Sequence, residues 1–171
     1  LNGVTNGGVA LLSDGDILRN ESQSTGGGID SRGVDLSLTR VRVEANRAYN
    51  AGGILSSSTA RAASLIIDSS VISANVAITL GAGGIWNNGN ASLMVTGTRI
   101  ISNVSATSAG ALYNSGSVTF TLATFTNSLI LSNTAGASGA GAILTPAAAS
   151  AVFLQTAPNA ERVTLEGLTI D

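Results

Sequence analysis

Few residues in this chain can do acid–base or nucleophilic chemistry, and they are scattered. The 171 residues include no cysteine and no histidine, so disulfides, thiolate metal sites, imidazole bases and imidazole ligands are all ruled out. What remains is ten carboxylates: Asp14, Asp16, Glu21, Asp30, Asp35, Glu44, Asp68, Glu161, Glu166 and Asp171. The eight basic residues are all arginine. Glycoside hydrolysis needs two carboxyl groups roughly 5–9.5 Å apart. Asp35 and Glu44 fall on different predicted strands, and Asp68 has Thr39 and Thr96 at its equivalent repeat positions. Asp14-Gly15-Asp16 lacks the further oxygen ligands at set intervals that a calcium loop requires, and reads as a turn. No catalytic residue, metal site or cofactor is expected from these groups.

The elements that must carry these side chains are set by a repeat. An aliphatic-x-x-Asn step recurs at Asn20, Asn46, Asn75, Asn103 and Asn133. A Gly-Gly/Ala-aliphatic step follows each, at Gly27-Gly28-Ile29, Gly52-Gly53-Ile54, Gly83-Gly84-Ile85, Gly110-Ala111-Leu112 and Gly141-Ala142-Ile143. From Asn to aliphatic residue the separation is 9, 8, 10, 9 and 10 positions. Three before each Asn stands Ile17, Val43, Ile72, Ile100 or Ile130. Seven before that stands Ala10, Leu36, Leu65, Leu93 or Ala123, with another apolar residue two beyond. Near the C-terminus Val163, Leu165 and Ile170 keep the same frame.

A self-similar unit of about 25–31 residues means a stacked solenoid. Short alternating runs separated by polar turns predict strands with one buried face, and no stretch has a capped helical period. The fold class is all-β: a single-stranded parallel β-helix of about six coils, each with three short strands. The chain is read as one segment, 1–171, with coils starting near Leu1, Ile29, Ile54, Ile85, Leu112 and Ile143. Each strand should bond to its equivalents one coil away, roughly 4.8 Å above and below.

The recurring polar and small residues have structural roles in this frame. The asparagines can satisfy backbone groups at one bend and form a ladder along the axis. The fixed glycines, Gly27, Gly52, Gly83, Gly110 and Gly141, suit a strained backbone or a close approach between coils. Small residues two after each Asn suit a crowded bend. Length variation gathers at one corner, predicting loops at Ser56–Ala63, Asn114–Leu122 and Thr145–Arg162. The residue after each buried aliphatic should point outward. Leu55, Trp86, Tyr113 and Leu144 would then form an external apolar stripe, a candidate contact surface. Another chain or domain, a stacked sugar, or the chain's own longest loop are the three candidate occupants.

Bulk properties limit the partners. A formal charge of −2 with only 11% charged residues argues against nucleic acid, while 44% hydrophobic content argues against disorder. No apolar run is long enough to span a bilayer as a helix. The start at Leu1 without Met suggests a missing segment, and both termini break off inside a repeat without a capping element. An excerpt of a longer solenoid, or coils continuing onto a neighbouring subunit, is the resulting expectation.

The tetrapeptides GGID, GGIL, GGIW, GALY and GAIL, paired with ILRN, VEAN, ISAN, IISN and ILSN, resemble the repeats of polymorphic outer membrane proteins. More broadly, the chain resembles bacterial right-handed parallel β-helix surface proteins. That resemblance implies a secreted or cell-surface, non-enzymatic scaffold, structural or adhesive, with further coils or other protein chains as partners. The alternative is a carbohydrate-binding or polysaccharide-degrading β-helix acting on surface glycans. Lyases of that fold use a calcium-binding acid cluster beside a basic residue, and no matching acid cluster surrounds Arg40, Arg42 and Arg47 in the sequence.

Overall fold

Alternation of apolar and small polar residues produces strands whose inner faces share one core. The computed structural model describes residues 7–115, 122–126, 128–136, 143–144, 162–166 and 169–170. Every strand pairing among them is parallel and joins one coil to the next, and the described residues contain no helix. The chain is a parallel β-solenoid.

Three walls enclose the core. The long wall holds nine described strands, including Gly8–Ser13, Val34–Thr39, Ile54–Asp68 and Ile85–Thr96. The isoleucine wall stacks Asp16–Leu18, Arg42–Glu44, Val71–Ser73, Arg99–Ile101, Leu129–Leu131 and Thr169–Ile170. The short wall stacks Glu21–Thr25, Arg47–Asn50, Val76–Leu80, Val104–Ser105 and Thr134–Ala135. About four turns are traced without a break, over residues 7–115, fewer than the six drawn from the repeat, because the last two coils fall partly outside the described residues.

Equivalent positions stack in register. Leu36, Leu65, Leu93 and Ala123 pair in sequence along the long wall, and Val43, Ile72, Ile100 and Ile130 along the isoleucine wall. Leu38, Ile54, Ile67, Ile72 and Ile85 are fully buried. Each such side chain contributes roughly 1.5–3 kcal/mol by leaving water, so the apolar column is the main stabilising term.

The division into strands differs from the sequence expectation in two places. The Gly-Gly-Ile and Leu-x-Leu segments merge into one strand in two coils, Ile54–Asp68 and Ile85–Thr96. Ser56–Ala63, expected to be a loop, therefore lies within a strand. Its extra residues are absorbed as a register shift: Gly89 faces Ser58, yet Ala91 faces Ala63. Residues 116–121 and 145–161 of the other two expected loops lie outside the described residues. The segment after each Asn, read as a bend, is a wall of its own. Ala48, Ala77 and Ser105 point inward there with almost no exposure. Small residues recur at that position because the short wall lies close to the core.

Candidate functional site

The bend between the isoleucine and short walls is built by a pair of residues. The first is held at positive φ: Arg19 at 55°, Ala45 at 54°, Ala74 at 53°, Ser102 at 54° and Ser132 at 52°. This left-handed conformation turns the chain sharply, and an L side chain adopts it at a cost of roughly 1–2 kcal/mol. The second residue is the recurring asparagine. Oδ1 of Asn75 accepts from both the backbone N–H and Nδ2 of Asn46, each at 3.0 Å. Nδ2 of Asn75 donates to Oδ1 of Asn103 and to the carbonyl of Val43, both at 2.9 Å. The same pattern joins Asn20 to Asn46 and Asn103 to Asn133. Asn46, Asn75 and Asn103 are fully buried. Their amides are nonetheless saturated, which is the condition for burying a polar group without a large penalty.

The glycine signature belongs to the same structure. A Cβ on Gly28, Gly53 or Gly84 would stand 3.0–3.3 Å from the carboxamide of Asn46, Asn75 or Asn103. A Cβ on Gly52 or Gly83 would lie 2.5 Å from backbone atoms of Val76 or Val104. The glycine pair thus packs over the ladder and the start of the short wall in the next coil. This contact gives the near-constant Asn-to-Gly spacing its physical basis. Gly110 is a buried residue, and Gly141 lies outside the described residues.

A second ladder runs along the bend between the long and isoleucine walls. The Val41 N–H donates to Ser70 Oγ at 3.0 Å, Ser70 N–H to Thr98 Oγ1 at 3.2 Å, and Thr98 N–H to Ser128 Oγ at 3.3 Å. All three hydroxyl residues are buried. Sequence reasoning missed them, although a hydroxyl residue two before the core isoleucine in three successive repeats was a visible signal.

The ionisable groups lie mostly in the first two described coils and bind neighbouring parts of the same chain. Asp14 takes a bidentate pair from Arg40 at 2.6 and 2.7 Å, and Asp16 one from Arg42 at 3.1 and 2.9 Å. Glu44 lies 3.5 Å from Arg42. Asp30 accepts from Arg32 and from Thr25 Oγ1, and Asp35 accepts from the backbone and hydroxyl of Ser64. Hydrogen bonds from Arg40 and Arg42 hold the carboxyls of Asp14 and Asp16 below the usual carboxylate range. Burial pushes Asp30 upward, but the bonds from Arg32 and Thr25 outweigh it and its net shift is downward. Among the described residues no three carboxylates cluster in a metal-holding arrangement. A cavity of about 650 Å³ is lined by Leu12, Ile17, Asn20, Gly28 and Ile29 of the first coils.

The apolar stripe is brought into one column, since Asp30, Leu55, Trp86, Tyr113 and Leu144 are register partners. Its environment differs from the open surface expected. Leu55 is only 4% exposed, Trp86 and Tyr113 are half-buried, and the side chain of Leu144 lies outside the described residues. The cause is the turn just before the glycine pair, which folds back over the column. A Cβ on Gly81 would lie 2.6 Å from Cε3 of Trp86, and one on Gly26 would lie 2.8 Å from the Asp30 side chain. Trp86 also donates its indole N–H to Ser115 Oγ at 2.6 Å and stacks on Tyr113, with ring centroids 5.7 Å apart at 33°. Short turns therefore pack against Asp30 and Trp86 of this column, and the longest expected loop lies outside the described residues.

No family model, curated protein or solved structure compared with this chain matches it.

Proposed function

We propose that this chain is a length of non-enzymatic scaffold in a secreted or surface-displayed bacterial protein, structural or adhesive, whose partners are further coils or other protein chains. The observation that carries the reading is where the polar chemistry is directed. Asp14, Asp16 and Asp35 each bond to a residue of the next coil, and the buried carboxamides bond only within the stack. Side chains that join one coil to the next resist unwinding, and this use of the polar residues supports a scaffold role. The repeat resemblance to polymorphic outer membrane proteins and related β-helix surface proteins supports the same reading, including its extracellular placement.

The competing activity is polysaccharide binding or cleavage. Incubating the purified chain with a panel of acidic and neutral polysaccharides, while measuring new reducing ends and unsaturated products, should show no turnover. Turnover abolished by Asp35→Asn or Asp16→Asn would overturn the scaffold reading. Antibody labelling of intact source cells tests the location: signal without permeabilisation is the expected result, and signal only after permeabilisation contradicts it.

A further inference from the structure

A second buried carboxamide column runs inside the long wall, and part of it ends on an atom that the protein leaves unpaired. Ser31, Ser56, Asn87 and Asn114 are register partners in four successive coils. They sit at inward-facing positions, each no more than 2% exposed. Asn87 Nδ2 donates to Oδ1 of Asn114 at 2.8 Å and to the carbonyl of Ala91 at 2.7 Å. This repeats the bonding of the bend ladder, in which each Nδ2 bonds one Oδ1 of the following coil and one backbone carbonyl. In the bend ladder every such Oδ1 receives its proton from the asparagine of the preceding coil. Here the preceding coil carries Ser56, whose hydroxymethyl lacks the terminal amide. Asn87 Oδ1 is buried with no protein donor, and Ser31 Oγ, two coils back, is buried with no protein partner.

Buried polar atoms are almost always bonded, and each one left bare costs roughly 1–3 kcal/mol. We propose that the Ser31–Ser56 portion of this column is a built site for ordered water, in which a water donates to Asn87 Oδ1 and is held by the Ser56 hydroxyl. A further water continues the chain to Ser31. Replacing asparagine by serine frees the space of a carboxamide beside polar groups, which is the setting in which interior water is retained. The column is thus one ladder made in two materials: carboxamide in the later coils, serine plus solvent in the earlier ones.

A crystal structure of the chain at a resolution that shows solvent, together with thermal melting of Ser56→Asn and Ser56→Ala, tests this. The expected density is a water within hydrogen-bonding distance of Asn87 Oδ1 in the wild type. In Ser56→Asn the new Nδ2 takes its place and the melting temperature rises by about 2–4 °C. Ser56→Ala should lower the melting temperature. Absence of a water at Asn87 Oδ1, or a protein donor occupying that position, would overturn the proposal. So would a Ser56→Asn chain that folds with its amide turned away from Asn87. If Ser56→Asn fails to fold, the wild-type density and the Ser56→Ala melt still decide the question.

Discussion

Asn75 donates its side-chain amide to Oδ1 of Asn103 at 2.9 Å, and its backbone N–H reaches the same oxygen at 3.0 Å. One buried acceptor therefore holds two donors from the coil before it. Asn75→Ala takes the acceptor from the backbone N–H of Asn46, one of the two bonds from Asn46 Nδ2, and the side-chain donor from the Val43 carbonyl and Asn103 Oδ1. The expected loss is about 3 kcal/mol or more, since each unmet buried group costs roughly 1–3 kcal/mol. Asn75→Asp should be at least as harmful, because it sets a carboxylate against two acceptors. Chemical denaturation measures both, and a loss under about 0.5 kcal/mol for the alanine variant would refute the ladder's energetic role.

The first glycine of one pair and the second glycine of the next should respond unequally to a methyl group. Gly52→Ala drives Cβ into the backbone of Val76, which cannot move without breaking the short wall. Gly84→Ala meets a carbonyl at 2.6 Å, but Ala111 already occupies the matching position of the next coil. Overpacking of a rigid interior costs roughly 1–3 kcal/mol. Gly52→Ala should reach the top of that range, with Gly84→Ala well below it. Equal melting temperatures for the two variants would contradict this assignment.

Relief of backbone strain should be measurable at Ala74, held at φ 53°. Ala74→Gly removes a left-handed penalty of roughly 1–2 kcal/mol and adds unfolded-state freedom of about 0.4–1 kcal/mol. A net gain of about 0.5 kcal/mol follows from these terms. A melting temperature lower than that of the parent chain would show that the alanine methyl makes a packing contribution larger than its strain.

Acid should weaken the first coils selectively. The folded-state values of Asp14, Asp16 and Asp30 are lowered by their arginine and threonine partners. Their contribution is complete above the unfolded carboxylate value of about 3.9 and is lost as pH falls through the lower folded values. Replacing Arg40 and Arg42 together by glutamine should therefore flatten the fall in melting temperature below about pH 4. The difference between parent and variant is therefore largest near neutral pH, where it is small because the pairs are exposed, and the two should converge as the carboxylates are protonated. Identical acid profiles would remove the ion pairs from the account.

The solenoid was legible in the sequence because its core positions recur as single residue types at fixed offsets. Val43, Ile72, Ile100 and Ile130 stack at zero to 1% exposure, as a uniform apolar position demands. Less legible was anything set by backbone geometry. The left-handed residue before each asparagine is Arg, Ala or Ser, types that give no turn signal, because the ladder enforces the conformation from outside. Simple alternation also misled at Leu55. Leu55 is absent from the core cluster, as alternation expects, yet it is only 4% exposed, and alternation says nothing of that burial. The short wall escaped notice because its buried residues are Ala and Ser, whose side chains carry little hydrophobic contrast.

The carboxamides of Asn46, Asn75 and Asn103 are oriented alike: each oxygen accepts from the asparagine of the preceding coil, and each nitrogen donates to that of the following one. The dipoles consequently add instead of cancelling, and the stack acquires a vector. An asparagine in the coil before one of these carboxamides donates to it, and an asparagine in the coil after accepts from it. Coils can be joined to such a column head-to-tail, while two like ends brought face to face would repel, so directionality is written into the growth of any longer fibre of these repeats.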